Sequence, residues 1–311
     1  MGGTFGAYME LLALCGFYVL AADFVVLVVH ALQRQWKLGL TDLFALLFAL
    51  FPLVCHLHVR WSGADEHDSA KLKVVSWNVG NFSLNSKCLD DLSKVMISEE
   101  PDIICLQERP HQHLMSKKTI ESRFPDYPYI AYNDREDEVL NLMVLSKYPL
   151  SGLCNHYFAD SYNKYMSVDV DVDGRRLRLY NVHLQTTGVT DVAGANLIGK
   201  IGSFIDNAQI RCQQARQLSA DIHTQSDCNV MVCGDFNTSA YSSSFQTISR
   251  GMYDASWSRM FSLLQSSYIV SSFLPKIDHV LFSEPIACLD YQLREFGWTD
   301  HKMQCAVFKI N

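Results

Sequence analysis

From residue 71 to the end of the chain, short β-prone apolar runs repeatedly border a polar residue able to ligate a metal or move a proton. Leu72–Trp77 gives way to Asn78, and Asp102–Gln107 to Glu108. Arg175–His183 ends in Asn181-Val182-His183, and Asn229–Cys233 runs into Gly234-Asp235-Phe236-Asn237. Ile277–Phe282 carries Asp278 and His279 at its start, and Thr299-Asp300-His301 precedes Gln304–Ile310. Apolar runs this short read as buried strands. Helical spacing appears between them, with Leu92, Val95 and Met96 inside Asp90–Glu99, and Ala215, Leu218 and Ile222 inside Ile210–Ile222. Alternating strands and helices predict an α/β fold. Asp173-Gly174, between Ser167–Val172 and Arg175–His183, is a hairpin turn signal, so the sheet is expected to be mixed. Ligands in such folds bind where strands end.

Residues 1–60 have a different character. Leu11–Leu32 is apolar except for Asp23 and His30, and Leu43–Leu57 is an uncharged run. A membrane span needs about 20 mostly apolar residues. The expectation is therefore two transmembrane segments, about 11–32 and 40–59, making the chain a multi-pass membrane protein whose hairpin engages the lipid bilayer. A buried helical hairpin in a soluble domain is the alternative. Met1–Glu10 has no Lys or Arg, unlike the basic start of a signal peptide. Arg34 and Lys37 lie in the short loop between the segments. The positive-inside tendency then puts that loop in the cytoplasm and the remainder outside it, an extracytoplasmic or periplasmic location. Residues 61–70 read as an acidic linker and 71–311 as one catalytic domain. The overall charge of −7 becomes −4 over 71–311, with 27 acidic against 23 basic residues. That balance weakens, without excluding, a nucleic-acid partner, because a local groove can still be basic. Eight cysteines in this part fit a reducing compartment better than an oxidising one, against the extracytoplasmic placement. They show no zinc-type spacing.

Singly, the strand-end residues say little: a lone Glu after a strand is usually solvated, and an Asp-x-Asn pair often caps a turn. Together and in order, they resemble the endonuclease/exonuclease/phosphatase, or DNase I-like, superfamily. Its pattern is W/Y-N, Q-E, N-x-H, G-D-x-N, I-D and S-D-H. The chain shows Trp77-Asn78, Gln107-Glu108, Asn181-x-His183, Gly234-Asp235-Phe236-Asn237, Ile277-Asp278 and Asp300-His301. It departs in having Thr299 for the usual Ser, no Pro two residues after His301, and Asn141 or Leu142 where a Gly usually opens the middle strand.

The resemblance implies a four-layer αββα sandwich of two mixed sheets, here preceded by the membrane hairpin. It also implies hydrolysis of a phosphodiester or phosphomonoester by in-line attack of water, with no covalent intermediate. Phosphoryl chemistry needs a hard cation held by one or two carboxylates plus waters. The implied cofactor is Mg²⁺, with Mn²⁺ an alternative, at Glu108 and Asn78 with Asp300 supporting the metal or its waters. His301 is expected as the base, its tautomer fixed by Asp278. Asp235 would position or activate the water or protonate the leaving oxygen. Asn237 and His183, with Asn78, would contact the phosphoryl group.

Three features beside this pattern carry weaker readings. Arg211 and Gln214 are expected on a solvated helix face. Thr186-Thr187-Gly188 either borders the substrate groove or is a plain loop, and Arg175-Arg176-x-Arg178 reads as an exposed edge strand blunted by charge. Substrate class stays open between a phospholipid or sphingolipid headgroup, as in a sphingomyelinase, and nucleic acid, as in a tethered nuclease. A non-catalytic membrane scaffold is the third reading, which the intact motif set opposes. No protein partner is inferable.

Overall fold

The computed structural model describes residues 6–8, 10, 13, 16–54, 70–82, 88–110, 115–133, 135, 140–159, 161–188, 196–225, 228–258, 265–269 and 275–310. Residues 6–8, 10 and 13 are helical, and two helices follow, α1 (Gly16–Leu32) and α2 (Trp36–Val54). The strands β1 (Ala70–Asn78) and β2 (Ile103–Arg109) flank α3 (Cys88–Glu99), and α4 (Lys117–Arg123) leads to β3 (Tyr129–Tyr132). Next come β4 (Asn141–Ser146), β5 (Leu150–Tyr157), β6 (Lys164–Val172) and β7 (Arg175–His183). The long helix α5 (Leu197–Ile222) is followed by β8 (Asn229–Asp235), α6 (Ser243–Ile248) and β9 (Tyr253–Asp254). The chain closes with β10 (Asp278–Phe282), β11 (Ala287–Arg294) and β12 (Met303–Ile310).

The strands form two six-stranded mixed sheets, ordered β11-β12-β1-β2-β4-β3 and β5-β6-β7-β8-β10-β9. Each has one parallel pair at its centre, β1 with β2 and β7 with β8, and antiparallel neighbours around it. The period of two along the central strands decides the layering. One set of side chains, including Val74, Cys105, Val144, Val168, Leu179 and Cys233, is buried between the sheets. The alternate set on the first sheet, Val75, Trp77, Ile104 and Leu106, packs on Leu92 and Met96 of α3. On the second sheet, Tyr180, Val182 and Val232 pack on Ala215, Leu218 and Ile222 of α5. The layers are therefore helix, sheet, sheet, helix, as the resemblance implied.

The two transmembrane segments are not found. Among the described residues no helix is long and apolar enough to cross a membrane. At 1.5 Å per residue, the 17 residues of α1 reach about 25 Å, short of the ~30 Å hydrocarbon thickness. The 19 residues of α2 include Lys37 and Asp42 near their start, and Asp42 is bonded to His30 of α1. Leu11, Leu12, Leu14 and Cys15 of the first expected segment lie outside the described residues. Residues 55–69, which include the end of the second expected segment and nearly all of the linker, lie outside the described residues.

The beginning of the chain meets the two-sheet sandwich directly. Glu10 is buried and accepts hydrogen bonds from Arg211 Nη2 (3.1 Å), Thr238 Oγ1 (2.8 Å) and the Ser244 backbone N–H (2.8 Å). Burial opposes its charge, but the Arg211 guanidinium and the bonds from Ser244 and Thr238 hold its carboxyl below the usual range. Arg211 is thus not on a solvated face; its guanidinium also donates to the carbonyls of Gln185 and Thr186. The Arg175-Arg176-x-Arg178 cluster is not on an edge strand either, because β7 lies between β6 and β8. Arg176 pairs with Asp169, and the buried Arg178 donates to Ser167 Oγ and the Gly152 carbonyl.

Candidate active site

Four strands deliver their ends to one place. Asn78 and Glu108 come from the parallel pair of the first sheet, and His183 and Asp235 from that of the second. Parallel pairing in register sets His183 opposite Asp235. Beneath them Gln107 and Asn181 join the sheets: Gln107 Nε2 donates to Asn181 Oδ1 at 2.7 Å, and Asn181 Nδ2 donates to the Leu106 and Met143 carbonyls. Both side chains are fully buried, so these two motif positions act as a brace under the site.

Local backbone irregularities aim the side chains. The β2–β4 register shifts between Leu106 and Arg109, and Glu108 has φ 50. A bulge of this kind turns a side chain out of the regular alternation, and here it presents Glu108 to the site. Asn237 also has positive φ, 52, and its backbone N–H donates to Asp235 Oδ1 at 2.8 Å. Such conformations are uncommon outside glycine and cluster at functional positions.

The bonding divides into two linked halves. In the first, Asn78 Nδ2 donates to Glu108 Oε1 (2.9 Å) and Asp235 Oδ2 (3.0 Å). His183 Nε2 lies 2.9 Å from Glu108 Oε1, and its Nδ1 lies 2.7 Å from Asn163 Oδ1. Asn163 Nδ2 donates to Ser161 Oγ and Gln185 Oε1, which leaves its oxygen as the acceptor. With acceptors at both nitrogens, His183 is arranged as an imidazolium. In the second half, His301 Nδ1 donates to both Asp278 oxygens, at 3.0 and 3.1 Å, and Nε2 lies 3.6 Å from Asp235 Oδ2. Trp77 Nε1 donates to the His301 carbonyl, and Thr299 Oγ1 to the Asn78 carbonyl, so the hydroxyl at 299 ties the last motif to the first. Asn237 Nδ2 donates to the carbonyl of Leu184, which follows His183 in the chain.

The electrostatics follow from these contacts. Burial disfavours a charge on Glu108, but the His183 and Asn78 bonds and the His183 and His301 charges outweigh it and pull the carboxyl down to about 2. Burial and the Asp278 charge push Asp235 up to about 6 against the pull of His301, His183 and Asn78. Burial would lower His301, yet Asp278 and Asp235 together raise it to about 10. The Asp278–His301 pair thus forms, but at neutral pH its imidazole is already protonated.

Among the described residues, two groups of side chains bring metal-capable atoms within 4.8 Å of one another, Glu108 with His183 and Asp235, and Asp235 with Asp278 and His301. The first holds the oxygen donors for a hard divalent cation, Glu108 and Asp235, and His183, donating from both nitrogens, stands beside them and is not a ligand. Glu108 is an ionised oxygen donor at neutral pH, partly open to water, with the Asn78 amide beside it. Asp300 is in neither group; its charge faces the Tyr268 hydroxyl and His301, and its carbonyl accepts from the Ile269 N–H.

Several participants carried no sequence signal. Asn163, Ser267 and Tyr268 come from connections between strands. Ser267 Oγ accepts from the Ile277 and Asp278 N–H groups, and the Tyr268 ring meets His301 edge-on at 5.2 Å.

Residues 75–301 match the family described as Endonuclease/Exonuclease/phosphatase. Among solved structures, a humanized D. rerio TDP2 is 18% identical, with 76% of this chain and 98% of that chain covered and a TM-score of 0.62. D. rerio TDP2 complexed with a single-strand DNA product is 16% identical, covering 77% and 99%, with a TM-score of 0.60. An endonuclease/exonuclease/phosphatase from Bacteroides vulgatus is 15% identical, covering 78% and 100%, with a TM-score of 0.57. These identities speak for a shared fold. No curated protein matches the chain.

Proposed function

The chain belongs to the endonuclease/exonuclease/phosphatase family, and from that premise we propose that it hydrolyses a phosphodiester by in-line attack of water, with Mg²⁺ as its metal. It is a metal-dependent phosphodiesterase by family; the roles of individual residues are our reading. The observation that carries it is the meeting of Glu108, Asp235 and the Asp278–His301 pair within one buried cluster at the ends of β1, β2, β7, β8 and β10. Bound at Glu108, the cation would neutralise phosphoryl charge, and Asn78, whose Nδ2 donates to Glu108 and Asp235 while its Oδ1 accepts from the Gly80 N–H, would position that carboxylate instead of ligating the metal.

The remaining parts follow from the chain's own groups. Asp235, raised to about 6, takes the proton of the attacking water, a role in which a base near the working pH is most effective. His301, held as an imidazolium by Asp278, and His183, with bond acceptors at both nitrogens, supply positive charge to the phosphoryl oxygens, and Asn237 supplies an amide. This gives His301 a charge-stabilising part instead of the neutral base expected from sequence.

Nucleic acid is the substrate class we favour. A similar fold has been solved with a single-strand DNA product, whereas the lipid-headgroup reading leaned on membrane segments that the described helices do not provide. The test is hydrolysis of bis-p-nitrophenyl phosphate by the purified chain with Mg²⁺ or Mn²⁺. Activity is expected in wild type and lost in Glu108→Ala and Asp235→Asn; a fully active Asp235→Asn overturns the proton assignment.

A further inference from the structure

Glu10 lies behind two loops that leave the candidate active site, and it is bonded toward both. The first loop, Leu184-Gln185-Thr186, follows His183; the second, Thr238-Ser239, follows Asn237. Glu10 is 2% exposed, and its Oε2 accepts from Thr238 Oγ1 at 2.8 Å and from Arg211 Nη2 and Nε at 3.1 and 3.3 Å. Arg211 is as deeply buried, and its Nη1 donates to the Gln185 and Thr186 carbonyls at 2.9 and 3.2 Å. A further tie comes from the same part of the chain, where the Ala13 carbonyl accepts from Ser239 Oγ at 3.1 Å.

Each contact leads on to a group in the site. In the first loop, Gln185 Oε1 accepts from Asn163 Nδ2 at 2.7 Å, and Asn163 Oδ1 is the 2.7 Å partner of His183 Nδ1. In the second, the Thr238 carbonyl accepts from His279 Nε2 at 2.9 Å, and His279 follows Asp278 in the chain. The loops are also joined directly, by the 3.0 Å bond from Asn237 Nδ2 to the Leu184 carbonyl. Apolar packing would hold these loops near one another without fixing their register. Hydrogen bonds to charged groups are about twice as strong as neutral ones and fix direction as well as distance. Glu10 itself lies outside residues 75–301, the part of the chain that matches the family.

We propose that Glu10 is a positioning residue of the catalytic centre, clamping the loops behind His183 and Asn237 at the spacing the reaction needs. Buried behind those loops, it acts through Arg211 and Thr238 and not on the substrate. The stretch of chain before α1 is thereby a working part of the site. The inference rests on the phosphodiesterase reading above and adds to it a residue from beyond the family-matched region.

The test compares two buried carboxylates in the full chain. Glu99 is also buried and pairs with Lys73 and Arg294, toward the end of β1 away from Asn78. Turnover of bis-p-nitrophenyl phosphate with Mg²⁺ is measured at a temperature where circular dichroism shows each variant fully folded. Glu10→Gln should lower kcat about tenfold or more with KM little changed, because lost positioning acts on the reacting geometry and not on ground-state binding. Glu99→Gln should lower the melting temperature and leave kcat as in wild type. Thr238→Val cuts one bond of the clamp and should also lower kcat, and Thr238→Ser, which keeps the hydroxyl, should restore it; this pair decides the question if Glu10→Gln does not fold. A kcat unchanged in Glu10→Gln or lowered equally in Glu99→Gln, or a Thr238→Val as active as Thr238→Ser, overturns the positioning role. Side-chain NMR resonances of His183 and His279 are read in parallel at one pH, where Glu10→Gln should shift both and Glu99→Gln neither. Both shifts in a chain that hydrolyses nothing uphold the clamp and sink the phosphodiesterase reading. Hydrolysis with kcat and both resonances unchanged in Glu10→Gln does the reverse.

Discussion

Gly234 lies against the neighbouring strand so closely that one added methyl tests the link between fold and site. Its φ is +147, in a region that L side chains rarely adopt. A Cβ built there would lie 2.0 Å from the Val182 carbonyl oxygen and 2.8 Å from its carbonyl carbon. These are backbone atoms of the paired strand β7, so no side chain can swing aside. Relief requires the strands to part by about 1 Å or more. Overpacking costs about 1–3 kcal/mol and a strained backbone about the same. Gly234→Ala should therefore lose about 4 kcal/mol, and the melting temperature should fall by about 8–16 °C for a domain of this size. Catalysis should fall too, because Val182 precedes His183 and Gly234 precedes Asp235, whose charged atoms stand 3.8 Å apart. A displacement of about 1 Å in such a site costs about a hundredfold in rate. Gly202→Ala in α5 is the control: nothing lies within 4 Å of its Cβ, and a helical Gly→Ala change gains about 0.5–1 kcal/mol. Differential scanning calorimetry and bis-p-nitrophenyl phosphate turnover read both effects. A Gly234→Ala protein that melts within two or so degrees of wild type with unchanged kcat refutes the argument.

Further outcomes follow from the same geometry. Glu108→Gln should abolish Mn²⁺ binding in isothermal titration calorimetry, since it removes the ionised oxygen donor; retained affinity places the metal elsewhere. His301 binds its proton more tightly folded, at about 10, than at its ordinary 6.5. Its stabilisation is thus complete below pH 6.5 and lost as the pH climbs toward 10. The melting temperature of chelator-treated protein should decline across that window, and Asp278→Asn should flatten the decline; an equal slope in the variant contradicts the pairing. Arg211→Ala leaves Glu10 buried without its cation, which costs about 3–5 kcal/mol, measured by urea denaturation. A change below about 1 kcal/mol would show Glu10 solvated instead.

Sequence and structure agree where local chemistry decides. The β6–β7 hairpin was legible because Asp173 and Gly174 both need positive φ, 53 and 82, and an Asp-Gly pair supplies it. Central strands such as β2 and β8 were legible because both faces are buried. β5, an edge strand, mixes exposed and half-buried positions and gave no pattern, and β3 and β11, also at sheet edges, went unread. The first turns of α5 went unread although Ile201, Phe204, Ile205 and Ala208 fall at helical spacing and Asn196, capping the Gly199 N–H, marks where the helix starts. Site residues at strand ends could be named because their types repeat there. Their supports could not, since Asn163, Ser267 and Tyr268 earn their places only through contacts across the fold. Nothing around Glu10 singled it out, and Arg211 was read as a surface cation, because pairing across 201 positions leaves no trace in either neighbourhood. The membrane reading failed for a related reason: run length says how apolar a segment is, not how much of it one helix contains.

The brace of Gln107 and Asn181 implies a rule about distance in this molecule. Glu108 belongs to one sheet, whereas Asp235 and Asp278 belong to the other, so the spacing of the site's groups depends on how the two sheets pack together. The filling between the layers acts as a spacer for the chemistry. A methylene added or removed at Val144 or Val168, far from any reacting atom, changes that spacing before it changes the fold. The core of this protein is in that sense part of its reaction coordinate.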